Sequence, residues 1–423
     1  MVRELKHTEI GDIPVDWELQ TFDETFRVIS NNTLSRENLN NRGGAVRNIH
    51  YGDILTKFPE VLDCSEDEIP FVNDLSLLSS STQLLQDGDV VIADTAEDET
   101  VGKVTEVQNL GDSKLVAGLH TIPCRVKKGD FAPGWLGCYM NSDLFHNQIL
   151  PYITGIKVAS ISKGAISETL ILVPPFDEQE KIVQSLNKIQ LLMTAETKVV
   201  NKIKLVKNGC LSKMFPQKDD TVPEMRLPGF TEAWEQRKLG ELTIYRNGIG
   251  HEEKQSESGK YELVNLNSIS IDGGLKSSGK FINEEVETLL KDDLVMVLSD
   301  VGHGDLLGRV AIIPENDRFV LNQRVALLRN NSSVDSNYLF YYINAHQIYF
   351  KKQGAGSSQL NISRGSVENF EVLLPHNDEQ KKIGMYLSNI DHLITLHQRK
   401  CDKYSNIKKG MMSDLLTGKI RLV

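Results

Sequence analysis

Asp177-Glu178-Gln179-Glu180-Lys181-Ile182-Val183-Gln184-Ser185-Leu186-Asn187-Lys188-Ile189 returns further along the chain as Asp378-Glu379-Gln380-Lys381-Lys382-Ile383-Gly384-Met385-Tyr386-Leu387-Ser388-Asn389-Ile390, an offset of 201 from 177 to 378. The offset holds without a gap as far as Phe215 against Leu416, with identities at Leu192/Leu393, Thr194/Thr395, Lys202/Lys403, Lys207/Lys408, Gly209/Gly410 and Ser212/Ser413. Self-similarity on this scale fixes the architecture before any single motif is read. Working outward, Ile161-Ser162-Lys163-Gly164 answers Ile362-Ser363-Arg364-Gly365, Val101-Gly102-Lys103-Val104 answers Leu307-Gly308-Arg309-Val310, and Trp17-Glu18 answers Trp234-Glu235. The chain therefore reads as two diverged copies, each a variable globular segment followed by a nearly uniform tail.

The tails read as helices. Apolar residues recur at Ile182, Leu186, Ile189 and Met193 in one, and at Ile383, Leu387, Ile390 and Ile394 in the other, alternating steps of four and three that make a heptad seam. Neither tail contains proline, and at ~1.5 Å per residue about 39 residues give a helix of roughly 58 Å. Gly384, in what should be the first turn of the second tail, predicts a late or frayed start there. Glu196 and His397 interrupt the seam at matching positions, as do Lys207 and Lys408 further along. Either they set the register of paired helices or they lie on a locally solvated face. The resulting division is residues 1–176, a first globular domain; 177–215, the first helix; 216–377, a linker and second domain; 378–423, the second helix and its tail.

Composition restricts function. The start, Met1-Val2-Arg3-Glu4-Leu5-Lys6, does not resemble a signal peptide, and no apolar run approaches the ~20 residues of a membrane span. The five cysteines are scattered and never form a Cys-x-x-Cys pair, so a reduced cytoplasmic setting is expected and neither a disulfide framework nor a zinc site is signalled. The net charge of −11 argues against gripping DNA by bulk electrostatics. That charge is segregated: −12 over residues 1–176 and −6 over 216–377, against +3 over 177–215 and +4 over 378–423. An acidic chain still reads bases if its cations are clustered or if a partner supplies the phosphate contacts.

Two diverged globular segments, each followed by a near-identical helix, resemble the specificity subunit of type I restriction-modification systems. The marks that carry the resemblance are Ile10-Gly11-Asp12-Ile13-Pro14-Val15-Asp16-Trp17, Pro174-Pro175-Phe176-Asp177-Glu178-Gln179, Leu374-Pro375-His376-Asn377-Asp378-Glu379-Gln380 and Leu416-Thr417-Gly418-Lys419-Ile420-Arg421. The resemblance implies an α+β fold: two globular target recognition domains in pseudo-two-fold repeat, separated by two long antiparallel coiled-coil helices. It also implies double-stranded DNA, two methyltransferase subunits and restriction/translocase subunits as partners. No cofactor is expected on this chain, S-adenosylmethionine belonging to the methyltransferase partner, and no metal and no membrane are expected.

Candidate DNA contacts are polar and cationic side chains in glycine-containing stretches. In the first domain these are Arg36, Asn38, Arg42, Arg47, Asn48 and Lys57, then Lys157, Ser160, Ser162 and Lys163. In the second they are Arg246 and Asn247, then Ser357, Ser358, Gln359, Asn361 and Arg364. An ordinary solvated loop, or a plain strand entered by a turn, is the alternative for each. The acidic loop from Asp94 to Lys103, with Glu97-Asp98-Glu99, and its counterpart from Asp300 to Arg309, containing His303, join runs that read as strands.

An enzyme reading has one foothold, Val173-Pro174-Pro175-Phe176, similar to the motif of DNA amino-methyltransferases. It fails at its first position, because Val173 has no group that can hydrogen-bond a target amine. A coiled-coil scaffold without DNA binding is the third reading, and it leaves two large, dissimilar globular segments unexplained.

Overall fold

The protein is described here by a computed structural model covering residues 4–155, 157–216, 220–284, 286–301, 304–356 and 359–422. It is a mixed α+β structure that divides into two compact units, residues 1–195 with 400–423, and residues 196–399. Each unit therefore takes one globular domain, part of one long helix and part of the other.

The first unit is built on a five-stranded sheet ordered Phe26–Val28, Thr121–Val126, Val90–Ala93, Val104–Gln108 and Val61–Asp63, antiparallel except for its last pair. Val90-Val91-Ile92-Ala93 is apolar throughout because both faces of its sheet are covered. Val90 and Ile92 join the core around Trp17, Phe22 and Trp135, while Val91 and Ala93 join a second core with Ile49, Ile54 and Leu115. The period of two along one strand thus feeds two cores. The second unit repeats this with Thr243–Asn247, Val325–Asn330, Leu294–Val297 and Val310–Ile312. Leu294 and Met296 face the core around Trp234 and Tyr338, and Val295 and Val297 face one with Ile269 and Leu289. In both units a pair of terminal strands closes the domain: Glu18–Thr21 runs antiparallel to Leu170–Val173, and Glu235–Lys238 to Glu371–Leu374.

The two long helices span Phe176–Met214 and Asn377–Leu415. In the first unit the start of one packs against the end of the other. Ile182, Val183 and Leu186 share a core with Leu415 and Leu416, and Lys408 Nζ donates to Gln190 Oε1 at 2.8 Å and to both Glu60 oxygens at 2.7 Å. In the second unit Val200, Cys210 and Met214 share a core with Ile383, Leu387, Ile390 and Ile394. There Lys207 pairs with Asp391 at 2.6 Å and Glu196 with His397 at 2.5 Å. Rising numbers on one helix meet falling numbers on the other, so the helices are antiparallel within each unit. The four residues that interrupt the seam all hold cross-helix or helix-to-domain polar contacts, so of the two sequence alternatives the solvated face is set aside.

Gly384 does not delay the second helix, which begins at Asn377. A Cβ there would lie 2.8 Å from Asn337 Cβ and 2.9 Å from Tyr338 N, so the glycine lets a domain helix, Ser336–Ala345, approach closely. The first unit solves the same contact in reverse. Its long helix carries Val183, and the domain supplies Gly134, whose Cβ would stand 3.0 Å from Val183 Cγ1.

The Asp-Glu-Gln repeat proves to be a latch. Gln179 accepts from Ala132 N at 3.0 Å and donates to Pro174 O at 2.8 Å; Gln380 accepts from Asp335 N at 2.9 Å and donates to Pro375 O at 2.9 Å. Glu178, 1% exposed, accepts from Trp17 Nε1, Arg421 Nε and Nη2, and Leu422 N. Glu379, 0% exposed, accepts from Arg226 Nε and Nη2, both at 2.8 Å. Arg226 and Arg421 are counterparts, since Met225 N donates to Lys213 O as Ile420 N donates to Asp414 O. The segment leaving each long helix thus clasps the first turn of the other.

Candidate nucleic-acid interface

The basic and amide cluster of the first domain is largely occupied. Arg36 pairs with buried Asp53, Arg47 donates to Cys64 O and Ser113 Oγ, and Lys57 Nζ donates to Glu68 O at 2.7 Å. Asn38 accepts from Ser35 N and caps a single turn. Asn48 does not belong to a loop: it lies in the strand Arg47–Ile49, is fully buried, and accepts from Asn32 Nδ2 at 2.7 Å, so its side chain reaches no groove edge. Arg42 is exposed and remains available.

The stretches with the matched offset are brought to a common place in their units. Gly155, at φ +104°, turns a hairpin in which Thr154 bridges Ser160, and Ala159–Ser160 pairs with Thr95–Ala96. This joins the hairpin carrying exposed Lys157 to the acidic loop. In the second unit Gly356, at φ +135°, turns the equivalent hairpin, Ala355 bridges Asn361, and Leu360–Asn361 pairs with Ser299–Asp300. Gln359 Nε2 donates to Ser299 Oγ and Asn361 Nδ2 to Gln359 O. Ser357, Ser358 and His303 lie outside the described residues.

Ser162 is an N-cap: its hydroxyl accepts from Ala165 N at 3.1 Å and starts the helix Lys163–Ser167, as Ser363 does for Arg364–Glu368. Lys163 is exposed beside it. Arg364 bonds Glu368 at 2.8 Å and stacks 5.2 Å from the Tyr245 ring, whose hydroxyl donates to Asn247. Arg246 pairs with Glu287. The strand with Arg246 and Asn247 is thereby tied to the hairpin side of its domain. In the acidic loop Thr100 donates to Asp98, holding that carboxyl below the usual aspartate range, so the charge is locally satisfied.

Two residues at this place were missed by sequence reasoning. His120 and Arg324 occupy equivalent turns, for Asp94 N donates to His120 O and Leu298 N to Arg324 O, while Ile161 N and Ile362 N donate to the carbonyls of Asp94 and Leu298. In the first unit Asn31 Nδ2 clamps the turn by donating to Gly118 O and Thr121 O, both at 3.0 Å. His120 lies 3.3 Å from Thr95 Oγ1 and edge-on to Tyr51, next to His50, whose imidazole is pushed below its ordinary range by burial. Their sequence surroundings, Gly118-Leu119-His120 and Asn322-Gln323-Arg324, share no residue, so the repeat gave no signal.

Among the described residues no group of three or more His, Cys, Asp or Glu could hold a metal ion, and no helix is long and apolar enough to cross a membrane. Val173-Pro174-Pro175-Phe176 is the junction of the closing strand and the first long helix, with the Pro174 carbonyl taken by Gln179.

Residues 231–403 match the family described as type I restriction modification DNA specificity domain. Over 437 aligned residues the chain is 24% identical to a protein of Methanocaldococcus jannaschii named as a type I restriction enzyme MjaX specificity subunit, covering 99% of this chain and 96% of that one. A second protein of that organism, the type I restriction enzyme MjaVIII specificity subunit, is 26% identical over 63% of this chain and 66% of its own length. The crystal structure of a type I restriction-modification S subunit from M. genitalium superimposes with a TM-score of 0.59 at 14% identity, covering 98% of this chain and 99% of that chain, and so shares the fold.

Proposed function

We propose that the chain is a specificity subunit of a type I restriction-modification system, a reading supported by its likeness to such subunits, and that it reads a bipartite, asymmetric DNA sequence and directs adenine methylation or restriction carried out by partner subunits. Each unit reads one half of the site. The observation that carries this reading is the repeated scaffold bearing unlike side chains: the same hairpin and strand pair present Lys157, Thr95 and Ser160 in one unit and Gln359, Ser299 and Asn361 in the other. Identical frames with different donors and acceptors specify different bases, because base edges are distinguished by their hydrogen-bonding pattern.

The chain itself supplies no catalysis in this reading. Two methyltransferase subunits bring S-adenosylmethionine, restriction/translocase subunits bring cleavage, and the work is done in the cytoplasm. An acidic reader suits such an assembly, since its partners provide the phosphate contacts that a net charge of −11 does not.

The test is a segment exchange. Residues 1–176 are replaced by the corresponding segment of another family member, and methylated adenines are mapped in cells that also carry the methyltransferase partner. One half of the recognised sequence should change and the other persist. A change in both halves, or no sequence preference in the parent, refutes the assignment.

A further inference from the structure

We infer that His120 and Arg324 are the base-reading residues of their respective units, an inference that rests on the reading above and names positions within it. The two side chains stand on the same elbow of the fold, immediately before the strands Thr121–Val126 and Val325–Asn330. At each elbow the backbone is left-handed, with φ of +56° at His120 and +67° at Arg324. Neither residue is a glycine, and residues with a Cβ enter this region at a cost, so a sequence free to relax would place glycine there. Both elbows carry a long polar side chain instead.

Each elbow is also linked through backbone hydrogen bonds to the loop and, one residue further on, to the hairpin end of the candidate face. Its carbonyl holds residue 94 or 298 at the root of the loop, and that residue's carbonyl holds Ile161 or Ile362 beyond the hairpin. A buried amide with an unused hydrogen-bonding atom lies in or against each: Asn48 Nδ2 beneath Gly118 in the first unit and Asn322 Oδ1 in the second. Interior polar atoms are normally satisfied, and exceptions gather where a structure is shaped for something other than stability.

The charges around Arg324 single it out. Arg226, Arg237, Arg246, Arg318, Arg329 and Arg364 each hold a carboxylate, and Arg309 donates to the Asn344 carbonyl. Arg324 is exposed and, among the described residues, has no ion pair and no side-chain hydrogen bond. A guanidinium with its fork unspent is the group that recognises the O6 and N7 acceptors of guanine in the major groove. His120, in turn, uses Nδ1 toward Thr95 and Asp94, at 3.3 and 3.4 Å, and leaves Nε2 without a partner among the described residues.

The experiment selects bound duplexes from a randomised library with the chain in complex with its methyltransferase partner, for the parent and for Arg324→Gly, Arg324→Lys and His120→Gly. Glycine is chosen because it accepts the elbow's φ, so the variants should melt at or above the parent temperature while losing the side chain. Arg324→Gly should lose a preference for guanine at one position of one half-site by roughly 5- to 150-fold, the range of a good bidentate contact, with the other half untouched. Arg324→Lys should retain part of that preference, and His120→Gly should disturb the opposite half alone. Binding that weakens equally for all sequences makes Arg324 a phosphate contact and overturns the inference, as does unchanged selection. A parent that selects no sequence overturns the functional reading itself, which separates the two failures.

Discussion

Removing the guanidinium of Arg421 tests whether the reciprocal clasp holds each unit closed. Glu178 is 1% exposed and receives four hydrogen bonds, two of them from Arg421 at 2.7 Å. Arg421→Ala leaves a buried carboxylate with only the Trp17 and Leu422 N–H groups, at 3.0 and 3.1 Å. Breaking one partner of a buried pair costs about 3–5 kcal/mol, and the two remaining donors place this case at the lower end, about 3 kcal/mol. Amide exchange followed by mass spectrometry resolves the units: core peptides of residues 90–126 should exchange roughly a hundredfold faster, while those of 294–330 stay unchanged. Arg226→Ala should act on the second unit and cost more, because among the described residues Glu379 receives hydrogen bonds from Arg226 alone. A loss under about 1 kcal/mol for Arg421→Ala, or the reverse ranking, refutes the reasoning.

Gly384→Val should destabilise the second unit by about 2 kcal/mol through overpacking against Asn337 and Tyr338, and Asp335→Gly, which imitates the Gly134 and Val183 arrangement, should restore part of it; thermal melts of the single and double variants check this. His346 has its imidazole held below the ordinary value of 6.5 by burial, against which the Tyr342 carbonyl acts. The unfolded chain therefore binds the extra proton first, and stability should fall as pH drops below about 6.5, less steeply in His346→Phe by urea titration at stepped pH. Asp16 is displaced the other way, its carboxyl lowered by the Arg421 hydrogen bond, so the support it lends should be present at neutral pH and fade as acid protonates it below the usual aspartate range. Asp16→Asn should flatten that part of the acid transition of the first unit, and an unchanged transition would refute the assignment.

What was legible in the sequence was whatever the repeat carried. The 201-residue offset marks both long helices to within a residue or two, and the heptad positions Ile182, Leu186, Ile383 and Leu387 are all buried. The clasp was hidden because the segment holding Met225-Arg226-Leu227 has six more residues before it than the one holding Ile420-Arg421-Leu422, so the fixed offset steps past it. Asn48 was misplaced for a different reason: an asparagine among arginines and glycines has the composition of a loop, yet Arg47–Ile49 is paired on both sides in a sheet. His120 and Arg324 could not be found at all from pattern, since nothing in a non-glycine side chain announces a left-handed backbone. Only the hydrogen bonds on either side reveal that the two elbows are the same.

The unequal make-up of the units has a consequence in time. Residues 196–399 are contiguous, so the second unit has all its material once that stretch has left the ribosome, whereas the first, though its domain is synthesised earlier, waits for residues 400–423. Until then Glu178 and the apolar faces of Ile182 and Leu186 lack Arg421, Leu415 and Leu416. The half made first is thus the half finished last, and a ribosome stalled near residue 400 would leave that half open to proteases beside a sound neighbour.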